Sequence, residues 1–208
     1  MQVVMVRHGE SLWNVERRYQ GQTDSGLTPR GREQAALAAQ LLLDEMGPLE
    51  TVWSSDLPRA RDTAQAYADL TGATVIEDAR LREIDVGDWE GRRVEEIAEE
   101  FPEVISAFRE GQDPPRGGGE TFAELRARVA EFLDELSGRD QERALVFSHG
   151  GAIQMAAAHA AHSAAPGNHR MAGPENCSRT VVRISGPSTA VVHYNLPLPA
   201  GAGAPAAP

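Results

Sequence analysis

Two segments 141 positions apart share one design, an apolar run that ends in a histidine followed by glycine. The first is Val3-Val4-Met5-Val6 leading into Arg7-His8-Gly9, and the second is Ala144-Leu145-Val146-Phe147 leading into Ser148-His149-Gly150-Gly151. A short unbroken apolar run marks a strand buried on both faces, as in a parallel sheet covered by helices. If both runs are parallel strands of one sheet, their carboxyl ends share the edge where open α/β sheets bind ligands. The pair therefore predicts an α/β fold with a pocket at which His8 and His149 meet. Taken singly, each reads equally well as a loop histidine satisfied by backbone groups.

The rest of the chain alternates strand and helix patterns, as a layered α/β fold requires. Thr28-Pro29 supplies an N-cap with proline in the first turn, which predicts a helix to Met46 that Gly47-Pro48 stops. A strand is expected at Thr51 to Trp53, a helix opened by Asp56-Leu57-Pro58 and running to Leu70, and a strand at Thr74 to Ile76. Arg80 to Gly91 reads as irregular. Arg93 to Glu110 reads as helix broken at Pro102, with Glu95, Glu96, Glu99, Glu100 and Glu103 on a solvated face. Gly111 to Gly119 is a loop by its proline and glycine content, and Glu120 to Leu136 shows apolar residues at helical spacing. A strand at Ala144 to Phe147, a helix from Gly151 to Ala161, and strands at Thr180 to Ile184 and Ala190 to His193 complete the set. The expected architecture is a three-layer α/β sandwich, a mostly parallel central sheet with helices on both faces. It forms a single domain over residues 1–195, followed by a disordered Pro/Ala/Gly tail over 196–208.

Twenty basic residues, all arginine, stand against 31 acidic ones, a formal charge of −11. That balance argues against a general nucleic-acid binder or a membrane-surface protein, since both need a broad cationic face. Any anion must be caught locally. Met1 to Arg32 carries five arginines against Glu10, Glu16 and Asp24, so positive charge concentrates around His8. Cys177 is the single cysteine, which excludes an intrachain disulfide and fits a reducing, cytoplasmic setting. The apolar run at Val3 to Val6 is far shorter than a signal-peptide core or a transmembrane helix. His159, His162, His169 and His193 show no ligand spacing with carboxylates or cysteine, and no metal is expected.

Arg59 is expected at the same sheet edge, in the first turn of a helix where free N–H groups and the dipole favour an anion. With Arg7 and the two histidines it makes a site for a group bearing several anionic oxygens, which a guanidinium grips through two parallel hydrogen bonds. By itself Arg59 reads as readily as a surface ion-pair partner. In Leu81 to Gly91, spacing does not choose among Glu83, Asp85, Asp88 and Glu90.

In these segments the chain resembles the histidine phosphatase superfamily, also called phosphoglycerate-mutase-like. The resemblance runs in order through RHGESLWN (Arg7 to Asn14), YQGQTDSGLTPRGREQA (Tyr19 to Ala35) and SSDLPRARDTA (Ser54 to Ala64). It continues with LREIDVGDWEG (Leu81 to Gly91), GGGETF (Gly117 to Phe122) and SHGG (Ser148 to Gly151), covering about residues 2 to 195. It implies that His8 attacks phosphorus and carries a phosphohistidine. It implies that Arg7, Arg59 and His149 hold the phosphoryl oxygens, with Asn14, the backbone around Gln20 and Gly21, and Gly150 assisting in substrate binding. The match to LREI selects Glu83 as the group that protonates the departing oxygen and then activates water. Imidazole suits the first part because its neutral form is a nitrogen nucleophile near pH 7, and neighbouring arginines favour that form. No cofactor is implied, because the arginines supply the positive charge.

Phosphatases and mutases of the superfamily share this core. The mutases carry a longer insertion after the acid, with paired arginines that grip the substrate carboxylate. Here Glu95 to Gly119 is short and acidic, with Arg109 and Arg116 apart from each other. The WEG and GGGETF segments resemble the broad-specificity phosphatase branch. The resemblance thus implies a cytoplasmic, metal-independent phosphomonoesterase for small phosphorylated metabolites, monomeric or homodimeric, with no nucleic-acid or membrane partner. The alternatives are a cofactor-dependent phosphoglycerate mutase and a non-catalytic phospholigand-binding module. Walls formed by the Trp89 and Glu95 to Gly119 regions are expected to choose the substrate.

Overall fold

Val3, Val4, Met5 and Val6 are all buried, so strand β1 (Gln2–Arg7) must be covered on both faces, and it lies inside the sheet. The computed structural model describes residues 1–164, 171–186 and 188–199. On one side β1 pairs in parallel with β4 (Arg143–Ser148), which pairs in parallel with β2 (Thr51–Ser54), itself parallel to β3 (Thr74–Glu77). On the other side lies β5 (Arg179–Ser185), antiparallel to β1, and then β6 (Ser188–Leu196), antiparallel to β5. The order is β3-β2-β4-β1-β5-β6. Four strands carry the expected parallel arrangement. The link from Ser185 to Ser188 is too short for a crossover, so β6 has to turn back on β5.

Among the described residues seven α-helices lie between the strands: α1 (Leu12–Val15), α2 (Pro29–Met46), α3 (Pro58–Thr71), α4 (Val94–Glu100), α5 (Pro102–Arg109), α6 (Phe122–Ser137) and α7 (Gly150–Ala160). Alternate strand residues point to opposite faces, which divides the core in two. Val4, Val6, Val52, Leu145 and Phe147 pack with Leu42 of α2 and Tyr67 of α3. Val3, Met5, Trp53 and Val146 pack with Leu125, Val129 and Phe132 of α6 and Ile153 of α7. The result is the three-layer sandwich expected.

The helix signals lie where the residues put them. The Thr28 hydroxyl accepts the Gly31 N–H at 2.9 Å with Pro29 at the first helical position, and α4 and α5 part at Pro102. The glutamates of that region are exposed. Thr121 and Glu124 form a capping box that starts α6. Helix α1 carries no readable period, because four residues make a single turn and Leu12 and Val15 face outward. Gly9 and Gly31 are required by contact: a Cβ on Gly9 would overlap the Gly31 carbonyl, and one on Gly31 would overlap the Glu10 carbonyl. The first turn of α2 therefore presses directly on the loop that leaves β1.

Strand β6 runs to Leu196, the first residue of the expected tail, and residues 200–208 lie outside the described residues, as does His169. No described helix is long and apolar enough to cross a membrane.

Candidate active site

Parallel pairing of β1 and β4 sets Arg7 opposite Ser148, so the next residues, His8 and His149, emerge side by side at one sheet edge. Their ring centroids are 5.2 Å apart and both side chains are buried. His8 Nδ1 lies 2.7 Å from the Gly9 carbonyl oxygen. A carbonyl only accepts, so Nδ1 carries the proton and the neutral ring presents its lone pair at Nε2. Burial holds His8 well below the usual imidazole range, and the charges of Arg59 and Arg7 push it the same way. His149 is depressed for the same reasons, with burial first and Arg59 next.

These depressed values carry a consequence for stability. An unfolded imidazole titrates near 6.5, so below that pH the unfolded chain binds protons that the folded chain refuses. Stability is then lost as pH falls through about 6.5, by up to about 1.4 kcal/mol per pH unit for each such histidine. Urea midpoints at pH 7.5 and 5.5 should show this loss, and it should be smaller in His149→Asn. An unchanged slope in that variant would mean that His149 is not held neutral.

Arg59 is buried in the first turn of α3. Its Nη1 donates to the Thr23 carbonyl at 2.9 Å and pairs with Asp24 at 3.4 Å, and Nη2 donates to the Gly21 carbonyl at 2.8 Å. Asp24 Oδ1 also accepts the Arg59 backbone N–H at 3.1 Å. The first-turn N–H expected to favour a ligand anion is thus taken by a carboxylate of the chain itself. Arg7 Nη1 donates to the Pro174 carbonyl at 2.6 Å. Arg7 Nε, Arg59 Nε and His149 Nδ1 are buried with no hydrogen-bond partner in the protein. Buried polar atoms are nearly always paired, so three such nitrogens at this sheet edge have the capacity to receive an anion with several oxygens.

His8, Arg7 and Arg59 line a cavity of about 230 Å³ that also takes in Glu83, Ile84, Val86, Gln20 and Gly21. A larger depression of about 620 Å³, near Met1 and Arg183, includes none of these groups. The four carboxylates that spacing leaves equivalent are separated by geometry. Only Glu83 lines the cavity; Asp85 accepts the Gly87 N–H at 2.8 Å, Asp88 is exposed, and Glu90 accepts the N–H groups of Gln22 and Thr23 at 2.7 and 3.1 Å. Glu83 Oε2 accepts the Gly151 N–H at 3.1 Å, at the start of α7, and Oε1 accepts the Ile84 N–H at 2.9 Å. The glycine run at 117–119 explains how this loop is held. A Cβ on Gly117 would overlap the Val86 carbonyl, and one on Gly119 the Asp85 carbonyl.

Among the other expected residues, Gln20 and Gly21 stand in the wall, with Gly21 at φ +53° where a Cβ would strike Glu90 and Val86. Asn14 and Gly150 are not wall residues. Asn14 Oδ1 accepts from the Ser11 N–H and from Asn176 Nδ2, while Gly150 sits against Arg7 and Glu83. The region around Trp89 reaches the cavity through Ile84 and Val86, whereas Trp89 itself is not part of a wall. It is buried behind one, with its ring 5.4 Å from Tyr19 and 5.9 Å from Phe101, because the 3-10 turn at Gly87–Trp89 points it into the core. The wall is made by Tyr19, Phe122 and Arg116. The Arg116 guanidinium lies 4.3 Å from the Phe108 ring centre and 3.7 Å from that of Phe122, and pairs with Asp113 at 3.2 Å. Arg109 is exposed.

Several residues of the site went unread in the sequence. Ser55 Oγ meets His149 Nε2 at 2.8 Å, Asn176 Nδ2 donates to the His8 carbonyl at 3.0 Å, and the Cys177 N–H donates to the Arg7 carbonyl at 3.0 Å. Ser55 lies inside the SSDLPR segment already singled out for Arg59; Asn176 and Cys177 follow a proline–glycine stretch with no local signal. Among the described residues no group of three histidine, cysteine or acidic side chains could hold a metal ion.

A family model described as histidine phosphatase superfamily (branch 1) matches residues 3–197. The chain is 41% identical over 155 residues to a "Probable phosphoglycerate mutase" of Erwinia tasmaniensis, covering 74% of this chain and 71% of that protein. It is 40% identical over 157 residues to a "Metal-independent phosphoserine phosphatase" of Arabidopsis thaliana, covering 74% and 66%. The fold is similar to a mycobacterial glucosyl-3-phosphoglycerate phosphatase solved with VO3, at a TM-score of 0.86 and 32% identity over 94% of this chain and 99% of that one.

Proposed function

Because the chain belongs to branch 1 of the histidine phosphatase superfamily, we propose that it hydrolyses phosphomonoesters of small metabolites through a phosphohistidine on His8. The observation that supports this most is the fixed His8 tautomer: Nδ1–H is held by Gly9, so Nε2 stands as the nucleophile beside three unpartnered donors. Nε2 attacks phosphorus as the ester P–O bond breaks, and the Glu83 carboxylic acid gives its proton to the departing oxygen. The Glu83 carboxylate then takes a proton from a water molecule as the water oxygen attacks phosphorus. The P–N bond breaks, phosphate leaves, and both groups are restored. Arg7 and Arg59 meet the charge that spreads over the equatorial oxygens. His149 Nε2 meets the Ser55 hydroxyl at 2.8 Å, and in this mechanism that hydroxyl donates, which leaves a proton on Nδ1 for a third oxygen. Positive charge comes from the arginines, and no step draws on a metal. The same reading gives Gln20 and Gly21 a place beside the phosphoryl group, with Asn14 and Gly150 bracing it. It extends to a cytoplasmic enzyme, monomeric or homodimeric, with no nucleic-acid or membrane partner, for which the acidic balance and lone cysteine are the support.

A mutase is the second reading, since several similar proteins are named as probable phosphoglycerate mutases. The Glu95 to Gly119 region favours hydrolysis: it brings one arginine to the wall, already paired with Asp113, and leaves Arg109 outside. Phosphate release should exceed isomer formation when a phosphoglycerate is supplied with a bisphosphoglycerate primer. Predominant isomer formation would establish the mutase, and failure to turn over any of a panel of phosphate esters, with phosphate still bound, would establish a binding module. The wall should act on the group beyond the phosphate. Arg116→Leu is expected to raise KM for the preferred ester by about 10-fold or more, with inhibition by inorganic phosphate little changed.

A further inference from the structure

We propose that Arg128 is the positioning residue for the acid, setting where the Glu83 carboxyl stands against the departing oxygen; this rests on Glu83 being the proton donor. Arg128 lies on α6 and is not a cavity residue. Its Nη1 donates to the carbonyls of Arg80 at 2.8 Å and Arg82 at 2.7 Å, and its Nη2 donates to the Glu83 carbonyl at 2.7 Å. The same guanidinium holds Glu120 at both carboxylate oxygens, Nε to Oε1 and Nη2 to Oε2, each at 2.8 Å. Glu120 Oε2 in turn accepts the Asp85 N–H at 2.9 Å. One planar ion pair therefore fixes the backbone on both sides of Glu83, from residue 80 to residue 85.

A guanidinium presents five donors in a rigid plane, and here they are spent on three carbonyls and one carboxylate. An ammonium cannot span that set. The Glu83 carboxylate is anchored at one oxygen by the Gly151 N–H of α7 and at the other by the Ile84 N–H of the loop itself. Helix α6 thus sets the backbone that carries Glu83 and Ile84, and α7 contributes one hydrogen bond to the carboxylate, so loss of the first lets the acid drift while its bond to Gly151 survives. A displacement of about 1 Å at a reacting group can cost on the order of 10²-fold in rate.

The test compares kcat/KM for an alkyl phosphate and for nitrophenyl phosphate in the wild-type protein, Arg128→Ala, Arg128→Lys and Glu83→Gln. kcat/KM reports the steps through phosphoryl transfer to His8. An alkoxide needs the acid and a nitrophenoxide scarcely does. Arg128→Ala should lose about 10²-fold on the alkyl ester and no more than about threefold on the aryl ester, with Arg128→Lys showing a smaller split of the same sign. Retained aryl turnover shows that a variant is folded, and if Arg128→Ala does not fold, Arg128→Lys decides. Equal losses on both esters would overturn the inference, since a purely structural role makes no distinction between leaving groups. Glu83→Gln separates the two claims. If it shows the split and the Arg128 variants do not, only this inference fails; if it shows none, the proton-donor reading fails with it.

Discussion

Replacing His8 by alanine should lower kcat/KM toward phosphomonoesters by on the order of 10⁶-fold, the scale of loss when the nucleophile of a concerted set is removed. No described neighbour can take its place. His149 is buried beside it with Nε2 engaged by Ser55, and Cys177 is buried with its thiol pushed up by burial to about 12, so its thiolate is absent at neutral pH. The anion site survives the change, because Arg7 and Arg59 are held by the carbonyls of Pro174, Thr23 and Gly21 and not by His8. His8→Ala should therefore still bind inorganic phosphate while turning nothing over, which calorimetry and a phosphate-release assay on one preparation will show. Retention of more than about a hundredth of the wild-type kcat/KM is incompatible with covalent catalysis at this residue.

Arg59→Ala should damage both catalysis and the fold. A guanidinium on a transferring phosphoryl group is worth about 10³- to 10⁵-fold, and kcat/KM should fall in that range. The side chain is 1% exposed and ties the segment from Gly21 to Asp24 to α3. Its removal leaves the Gly21 and Thr23 carbonyls without that donor, at a cost of about 1–3 kcal/mol for each buried group, while Asp24 keeps the backbone N–H groups of position 59 and Gly26. Arg59→Lys keeps a charge but cannot serve the separate carbonyls and the phosphoryl group at once, so it should recover stability better than rate. Urea unfolding measured beside kcat/KM distinguishes the two effects. A variant that is folded and within tenfold of wild-type activity would remove Arg59 from the transition state.

Much of this was legible in the residues because the signals were local. The apolar runs before His8 and His149 demanded buried strands, and burial of all four residues from Val3 to Val6 places β1 between β4 and β5. Thr28, Pro29 and Gly47 bound α2 through groups within one turn of its ends. The site was less legible wherever distant segments decide the outcome. Spacing left Glu83 equal to three neighbouring carboxylates, and the resemblance was needed to choose it. What separates them is the grip of Arg128, 45 positions away, and the glycines at 117–119. Arg59 was placed at a free helix terminus, yet Asp24, 35 positions away, serves that N–H. The region around Trp89 does reach the wall, through Ile84 and Val86, but the large ring of Trp89 itself packs behind it on Tyr19 and Phe101. The place of Asn176 and Cys177 at the site could not be read, since only the folded chain brings them against Arg7 and His8.

The phosphohistidine on His8 is the claim on which the rest depends. Mixing the protein with a phosphomonoester labelled in its phosphoryl group, quenching in alkali within the first turnovers and digesting should yield a labelled peptide containing Arg7-His8-Gly9. The label should be stable in base and released by acid. No label under these conditions, or label that persists in His8→Ala, would contradict the mechanism.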